Sequence, residues 1–363
     1  MVDPLEAKLG SRARVLLPIA ICTLLALSAW RLWPRGPETL TIDGPTMGAT
    51  FRVTVVADTF TAAQEAEIAD IIESELALID RLMSNYRSDS ELTALSEHRD
   101  AAPFPLSPPL AEVLAIAAEV SELTEGAFDV TVPPLLRAWG FGPGADPDAP
   151  APPPEQLAQL AERIGYQKLH LDLRAPSARK DHPELNLDLS AIAPGYAADR
   201  IASALTQRGF TRHYVDVGGE LRVRGNGPSG QPWRVGIERP ATSKERAAAL
   251  QEIVHLSDHA LATSGDYRNY RELDGRRISH TIDPRSRAPI THNLASVTVI
   301  HRDAARADAL ATALTVLGPD QGMALAEREG LAVLMIIRVG DTFELRSTPA
   351  FDALRRPASS ATL

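Results

Sequence analysis

The chain is predicted to adopt an α+β fold of antiparallel sheets with packed helices, preceded by one N-terminal membrane-anchor helix. Three observations lead there. The helical periodicities are long and few, strand-like runs follow one another from about 214 to 301, and the first 35 residues hold an uncharged apolar run unlike anything after it. Helices segregated from consecutive strands argue against a doubly wound parallel sheet. At 363 residues, 44% hydrophobic and 23% charged, there is material for one large folded body or two ordinary ones.

Lys8, Arg12 and Arg14 precede the uncharged run from Val15 to Trp30, and Arg31, Leu32, Trp33 and Arg35 follow it. As a helix that run spans ~24 Å at 1.5 Å per residue. The hydrocarbon core is ~30 Å thick, and Arg31 is placed to snorkel while the tryptophans sit at the interface. The segment reads as an uncleaved signal anchor. A cleaved signal peptide is the competing reading, but no small-x-small cleavage site follows the run. The expected organisation is a cytoplasmic tail over 1–14, the anchor or signal segment over 15–33, a linker over 34–40, one folded domain over 41–348 and a frayed C-terminal tail over 349–363. Cys22 is the only cysteine, so no intrachain disulfide can form. The net charge of -10, with no Lys/Arg cluster in the folded part, repels polyphosphate backbones, and nucleic acid is not an expected partner.

After the linker, Ile42 to Val56 reads as a strand, with Phe51, Val53 and Val55 on one face. Ile68, Ile71, Ile72, Leu76, Ile79 and Leu82 recur at helical spacing between Thr61 and Met83. A second helix opens at Ser107-Pro108 and closes at Gly126. Residues 142–154 are rich in Pro, Ala, Asp and Gly and form an exposed loop. A short helix ends near Gly165, strands follow at Leu169–Leu173 and Leu185–Leu189, and a helix runs from Gly195 to Gln207. Strands are then expected at Tyr214–Val217, Glu220–Arg224, Trp233–Glu238, Glu252–Leu256, Arg276–Thr281 and Ala295–His301. Helices at Ala304–Leu317 and Asp320–Arg328 and a buried strand at Leu331–Ile337 complete the domain.

Candidate chemistry concentrates between 257 and 316. Ala262 to Tyr270 is a Gly/Asp/Tyr-rich turn. His280 precedes Ile282-Asp283-Pro284, where proline must end a strand, a favourable place to present an imidazole as a general base. Asp308 and Thr312 lie four apart on a helix, so both face one ligand. Mg²⁺ suits such a pair, because it takes one or two carboxylates, other oxygens, water and substrate phosphate. Leu187 to Tyr196 runs through a small-residue turn into a helix N-terminus, which offers N–H groups and the positive end of a helix dipole to a phosphate. Phe128 and Tyr86, each following a helix, are placed to flank a planar ring. Asp216 to Glu220 is a tight turn, and His213, His255, His259 and His301 read as structural.

Taken in order, these segments resemble the ApbE family of flavin transferases. The resemblance rests on Thr46 to Thr50, Met83 to Arg87 with Asp89 to Leu92, Gly126 to Asp129, Trp139 to Pro143, Leu187 to Tyr196, Val215 to Glu220, Ala262 to Tyr270, His280 to Pro284 and Ala307 to Thr312. Each motif is short, but nine of them in the family's order over nearly 300 residues are specific. The resemblance implies a T-fold-related α+β domain on the periplasmic side of a bacterial inner membrane. It implies binding of FAD with Mg²⁺, and transfer of FMN to a threonine or serine hydroxyl of a partner with release of AMP. The acceptor would be a subunit of a membrane respiratory or electron-transfer complex.

Residue by residue, the resemblance implies that Met47, Tyr86, Ala127, Phe128 and Asp129 line the flavin or adenine parts of FAD. Asp188 and the turn Ser190 to Ala193 would lie near ribose and pyrophosphate, and His280 and Ile282 would also touch FAD. Asp308 and Thr312 would hold Mg²⁺ with a backbone carbonyl from Ala191 or Ala193. His280 would deprotonate the acceptor hydroxyl, with Asp283 positioning its turn. Pro194 departs from the family, standing where relatives commonly carry lysine, and Ala311 stands where some carry another acid. Two other readings follow: a Mg-dependent FAD pyrophosphatase giving FMN and AMP, and a non-enzymatic FAD-binding assembly protein.

Overall fold

The computed structural model describes residues 36–146, 148–239, 249–265, 270–273 and 276–355, together with Leu16, Cys22 and Thr23. The anchor expected over 15–33 and the tail over 1–14 therefore lie outside the described residues save for those three. Among the described residues no helix is long and apolar enough to cross a membrane.

Where the sequence suggests one strand from Ile42 to Val56, the chain makes a hairpin of β1 (Glu38–Thr46) and β2 (Ala49–Ala57). β1 begins inside the linker expected over 34–40. Met47 and Gly48 both take positive φ, 48° and 73°, a two-residue turn whose twist matches that of the flanking strands. Helix α1 (Ala62–Met83) begins at a capping box in which Thr61 and Gln64 exchange side-chain and backbone bonds. There follow α2 (Glu91–Glu97), β3 (Phe104–Pro105), α3 (Pro108–Leu123), α4 (Pro133–Ala138), α5 (Pro154–Ala161), β4 (Leu169–Asp172) and β5 (Ser177–Lys180). β3, β5 and β4 form a small sheet. The strand expected at Leu185–Leu189 is absent. Its three leucines are buried, but the segment joins no sheet and is tied instead by the Asp188 N–H to the Val130 carbonyl at 2.8 Å.

Beyond it come α6 (Ala193–Gln207), β6 (His213–Val217), β7 (Glu220–Arg224), β8 (Trp233–Arg239), β9 (Ala249–Leu256), β10 (Ala260–Gly265), β11 (Tyr270–Leu273), β12 (Arg276–Ser279), β13 (Ile282–Asp283), β14 (Ala288–Pro289), β15 (Leu294–His301), α7 (Ala304–Arg328), β16 (Ala332–Val339), β17 (Thr342–Ser347) and α8 (Pro349–Arg355). The turn read at Ala262 to Tyr270 is strand as far as Gly265, and residues 266–269 lie outside the described residues. α7 is broken at Gly318 (φ 78°) ahead of Pro319, so the two helices expected there meet at a kink.

Eight strands form an antiparallel sheet in the order β1-β2-β6-β7-β10-β15-β16-β17. Because strand side chains alternate, Val53, Val55, Val215, Val297 and Met335 enter the main core with α1, α3, α6 and α7. Leu221, Val223, Leu261 and Leu334 enter a second core with the β8–β9 hairpin and Phe351. The residues of the expected frayed tail are thus helical through Arg355. Phe351 is fully buried, and burying one aromatic ring contributes ~1.5–3 kcal/mol toward ordering that turn.

His213, at the start of β6, is fully buried with its Nδ1 bonded to the Phe210 carbonyl at 2.9 Å. Burial pushes its pKa down to about 4. The unfolded chain therefore binds the extra proton first, and stability present above the ordinary histidine value is lost as pH falls through that window toward 4. The loss is expected to reach on the order of 3 kcal/mol at pH 4. Denaturant melts of the wild type and His213→Gln across pH 4 to 7 should show a shallower slope in the variant.

Candidate active site

Strand register places the motifs at one end of the large sheet. Phe51 pairs with Val217, so the Met47–Gly48 turn and the Gly218–Gly219 turn project from the same end. Leu261 pairs with Leu221 and Gly265 with Ser296, so β10 ends, and β15 begins, at that end too. The segment carrying His280 joins those two strands. The glycine turn needs its glycines: Gly218 and Gly219 have φ of 73° and 110°, and a Cβ on Gly218 would lie 3.8 Å from the Pro194 Cβ and 3.9 Å from that of Ala49. The first turn of α6 therefore sits against both sheet turns.

α6 and α7 cross there at close range. A Cβ on Gly195 would stand 2.4 Å from the Ala304 carbonyl oxygen and 2.9 Å from the Ala305 nitrogen. Gly195→Ala is accordingly expected to cost several kcal/mol, well beyond the ~1–3 kcal/mol of ordinary overpacking, because the obstruction is backbone. A thermal melt reads this directly, and a Tm within 2 °C of wild type would contradict the close approach.

Gly195 is the third residue of α6, so its N–H belongs to the first turn and has no partner within the helix. It is donated to Asp308 Oδ2 at 3.2 Å, and the Ala191 carbonyl, ahead of the N-cap Ile192, lies outside the helical ladder. Asp308 is 7% exposed. Burial pushes its carboxyl up to about 7, opposed by that single N–H. A buried carboxylate with one hydrogen bond is costly to keep charged, and an adjacent cation is what would favour its ionised form. Thr312 is half-buried one turn on; among the described residues its hydroxyl makes no hydrogen bond, whereas that of Thr315 is spent on the Ala311 carbonyl at 2.8 Å. One carboxylate, one hydroxyl and a loop carbonyl fit a hard divalent cation completed by water and phosphate oxygens. No cluster of three acidic, histidine or cysteine side chains of metal-binding kind occurs among the described residues.

The approach to α6 is shaped by Asp188, whose Oδ1 accepts the Ser190 N–H at 2.7 Å. Ser190 is exposed, Ala191 half-buried, and Ile192 and Ala193 buried. Ile192 makes no side-chain cap, so the helix N-terminus keeps its anion-attracting polarity. Beside Asp188 lies a cleft of about 130 Å³ lined in part by Asn85, Arg137, Phe141 and Asn186.

His280 is half-buried just before the β13–β14 hairpin. Ile282 is buried with Leu135 and Ile164. Asp283 is bound at both oxygens by Arg285, at 2.9 and 3.0 Å, and its carbonyl accepts the Arg287 N–H at 2.7 Å. The indole N–H of Trp139 donates to the Arg287 carbonyl at 3.0 Å, tying the hairpin to the end of α4. β13 also packs on α7, which carries Asp308 and Thr312.

The remaining expected FAD-lining residues spread more widely. Met47 is exposed at the tip of the β1–β2 turn. Tyr86 is 77% exposed and Phe128 is 3% exposed in the main core; neither lines the cleft beside Asp188. Ala127 is buried. Asp129 accepts from Thr131 N–H at 2.8 Å, Thr131 Oγ1 at 2.6 Å and Tyr166 N–H at 2.9 Å, and burial raises its carboxyl above the ordinary range. Those bonds give Asp129 a scaffolding part, folding the start of the 129–131 turn onto Tyr166. Residues that sequence reasoning did not single out are Gly195, whose signal was a glycine in the first turn of a helix, and Arg137 and Asn186, which carry no motif of their own. A larger groove of about 1000 Å³ along α3 and α6 holds mostly paired charges such as Arg200–Glu75 and contains none of the expected site residues.

Residues 47–335 match the model of the ApbE family. The chain is 42% identical over 317 residues to the FAD:protein FMN transferase of Salmonella typhimurium, covering 87% of this chain and 89% of that protein. The flavinyl transferase ApbE of Pseudomonas stutzeri, solved in its apo form, superposes with a TM-score of 0.80 at 40% identity, over 88% of this chain and 98% of that one. The flavin transferase ApbE from Vibrio cholerae gives 0.79 at 38% identity, over 88% of this chain and 99% of that one. The matched span takes in both sheet turns, the crossing helices and the His280 hairpin, and on that breadth the chain belongs to the ApbE family.

Proposed function

We propose that this chain transfers the FMN part of FAD to a threonine or serine hydroxyl of a partner protein and releases AMP. The observation that carries this reading is the meeting, at one end of the sheet, of the α6 N-terminus, the Asp308–Thr312 face of α7 and the segment bearing His280, in a chain 42% identical to an FAD:protein FMN transferase. Asp308, Thr312 and the Ala191 carbonyl would hold Mg²⁺. Ala191 is favoured over Ala193 because the Ala193 carbonyl stands within the helix, where it is committed to the N–H four residues on. Bound there, Mg²⁺ would supply charge neutralisation for the pyrophosphate and its leaving group.

His280 accepts the proton of the acceptor hydroxyl as its oxygen forms a bond to the FMN-side phosphorus. The P–O bond to the AMP oxygen breaks, and AMP leaves with the electron pair. The N-terminus of α6 stabilises negative charge on the phosphates through its dipole. Pro194, in the first turn of that helix, supplies neither an ammonium nor an N–H, so the chain relies on the remaining amides and the metal face. Residues 15–33 would anchor the enzyme in a bacterial inner membrane with the catalytic domain on the periplasmic side. The acceptor would then be a subunit of a membrane respiratory or electron-transfer complex.

The test is incubation of the chain from Pro37 with FAD, Mg²⁺ and a peptide carrying a flavinylation threonine. A mass gain of one FMN on the peptide, with stoichiometric AMP, is expected. AMP and free FMN without peptide modification would support the pyrophosphatase reading that Pro194 raises, and FAD binding with no turnover would leave only an assembly role.

A further inference from the structure

The first turn of α7 is capped from outside its own sequence. Asp303, its N-cap, makes no side-chain cap; its N–H goes to His301 Nδ1 at 2.9 Å, and its carboxylate lies 3.6 Å from Arg306. A donor of the turn is met by Asp199 on α6. Ala305 N–H donates to Asp199 Oδ2 at 2.9 Å. Arg222 is the nearest cation, at 3.8 Å.

One turn along α6 from Asp199 is Gly195, and one turn along α7 from Ala304 is Asp308. The two helices are therefore joined by two opposed rungs. In one, a carboxylate of α7 accepts a first-turn N–H of α6 at 3.2 Å; in the other, a carboxylate of α6 accepts a first-turn N–H of α7. Between them the backbones approach so closely that Gly195 has no room for a Cβ. With Gly195 as the pivot, the Asp199 rung sets the rotation of α7 about its contact. That rotation decides where Asp308 and Thr312 stand relative to the Ala191 carbonyl.

We propose that Asp199 is a positioning residue: through its bond to the first turn of α7 it fixes the Asp308–Thr312 face over the start of α6, and so sets divalent-cation affinity without touching cation or FAD. This rests on the metal reading given above. Loss of a partner that orients metal ligands typically costs ~10- to 100-fold in metal affinity, so a modest rotation should be measurable.

The test compares Asp199→Asn, which keeps a carbonyl acceptor for Ala305 and loses the charge, with Asp199→Glu, which keeps the charge and displaces the acceptor. Mn²⁺ binding to the FAD-loaded protein is read by electron paramagnetic resonance, and amide hydrogen exchange over 304–308 is read alongside. Affinity within about threefold of wild type and unchanged exchange are expected for Asp199→Asn. A loss of ~10-fold or more with faster exchange is expected for Asp199→Glu. Asp199→Ser, too short to reach Ala305, carries the same expectation should the glutamate variant not fold. Wild-type Mn²⁺ affinity in the displaced-acceptor variant, or a greater loss in Asp199→Asn than in it, overturns the proposal. Asp308→Asn separates the two levels: undiminished Mn²⁺ affinity there overturns the metal reading and this inference with it, whereas its loss there beside wild-type affinity in Asp199→Glu overturns this inference alone.

Discussion

His280→Ala is expected to reduce FMN transfer by 10²- to 10⁴-fold, the range a positioned general base supplies, while FAD affinity stays within about threefold, since the imidazole acts on the acceptor hydroxyl. The fold should tolerate the change. Ile282 in its cluster, the Asp283–Arg285 pair and the Trp139 bond to Arg287 all hold the hairpin. The measurement is single-turnover transfer to the acceptor peptide, with FAD affinity from fluorescence quenching on the same sample. Transfer above a tenth of wild type would remove His280 from the role of base. Tenfold weaker FAD binding would recast it as a substrate contact.

Asp308→Asn should damage both binding and transfer. The amide keeps a carbonyl for the Gly195 N–H, so the α6–α7 crossing survives and the variant isolates the charge. A hard cation held by one protein carboxylate loses its main attraction when that group is neutral. Mg²⁺-dependent FAD binding is expected to weaken by at least ~10-fold, equivalent to about 1.4 kcal/mol, and transfer to fall by ~10³-fold, the combined loss of binding and leaving-group stabilisation. Because the buried carboxyl is pushed up to about 7, its replacement should also raise the Tm of the metal-free protein at pH 8, where wild type carries an unneutralised buried charge. A variant with wild-type Mg²⁺ response would show that the cation is held elsewhere.

The helices were legible because their signals are local. Thr61 with Gln64, and Ser107 followed by proline, mark the starts of α1 and α3 within four residues of chain, and Gly318-Pro319 marks the kink of α7. Local evidence was weaker for the strands. Leu185 to Leu189 has the alternation of a strand but is buried beside Val130 without a ladder partner. Ala262 to Gly265 reads as part of a turn from its small polar residues, although the strand Ala260 to Gly265 finds partners on both sides. α8 reads as tail because the docking of Phe351 depends on β9, far back in the sequence, as well as on β16.

By itself the sequence determined the α+β class, the order of the helices, and the chemical types His280, Asp308 and Thr312 in motifs specific enough to identify the family. Those properties follow from side-chain chemistry and from periodicities spanning a few turns. Tertiary structure decided that the Met47 turn, the Gly218 turn and the segment bearing His280 leave the sheet at one end, and that Asp308 takes the first-turn N–H of Gly195. It also decided that Asp199 caps a helix more than a hundred residues away. Such contacts depend on register and on the crossing of two backbones, and no pattern local to either segment encodes them.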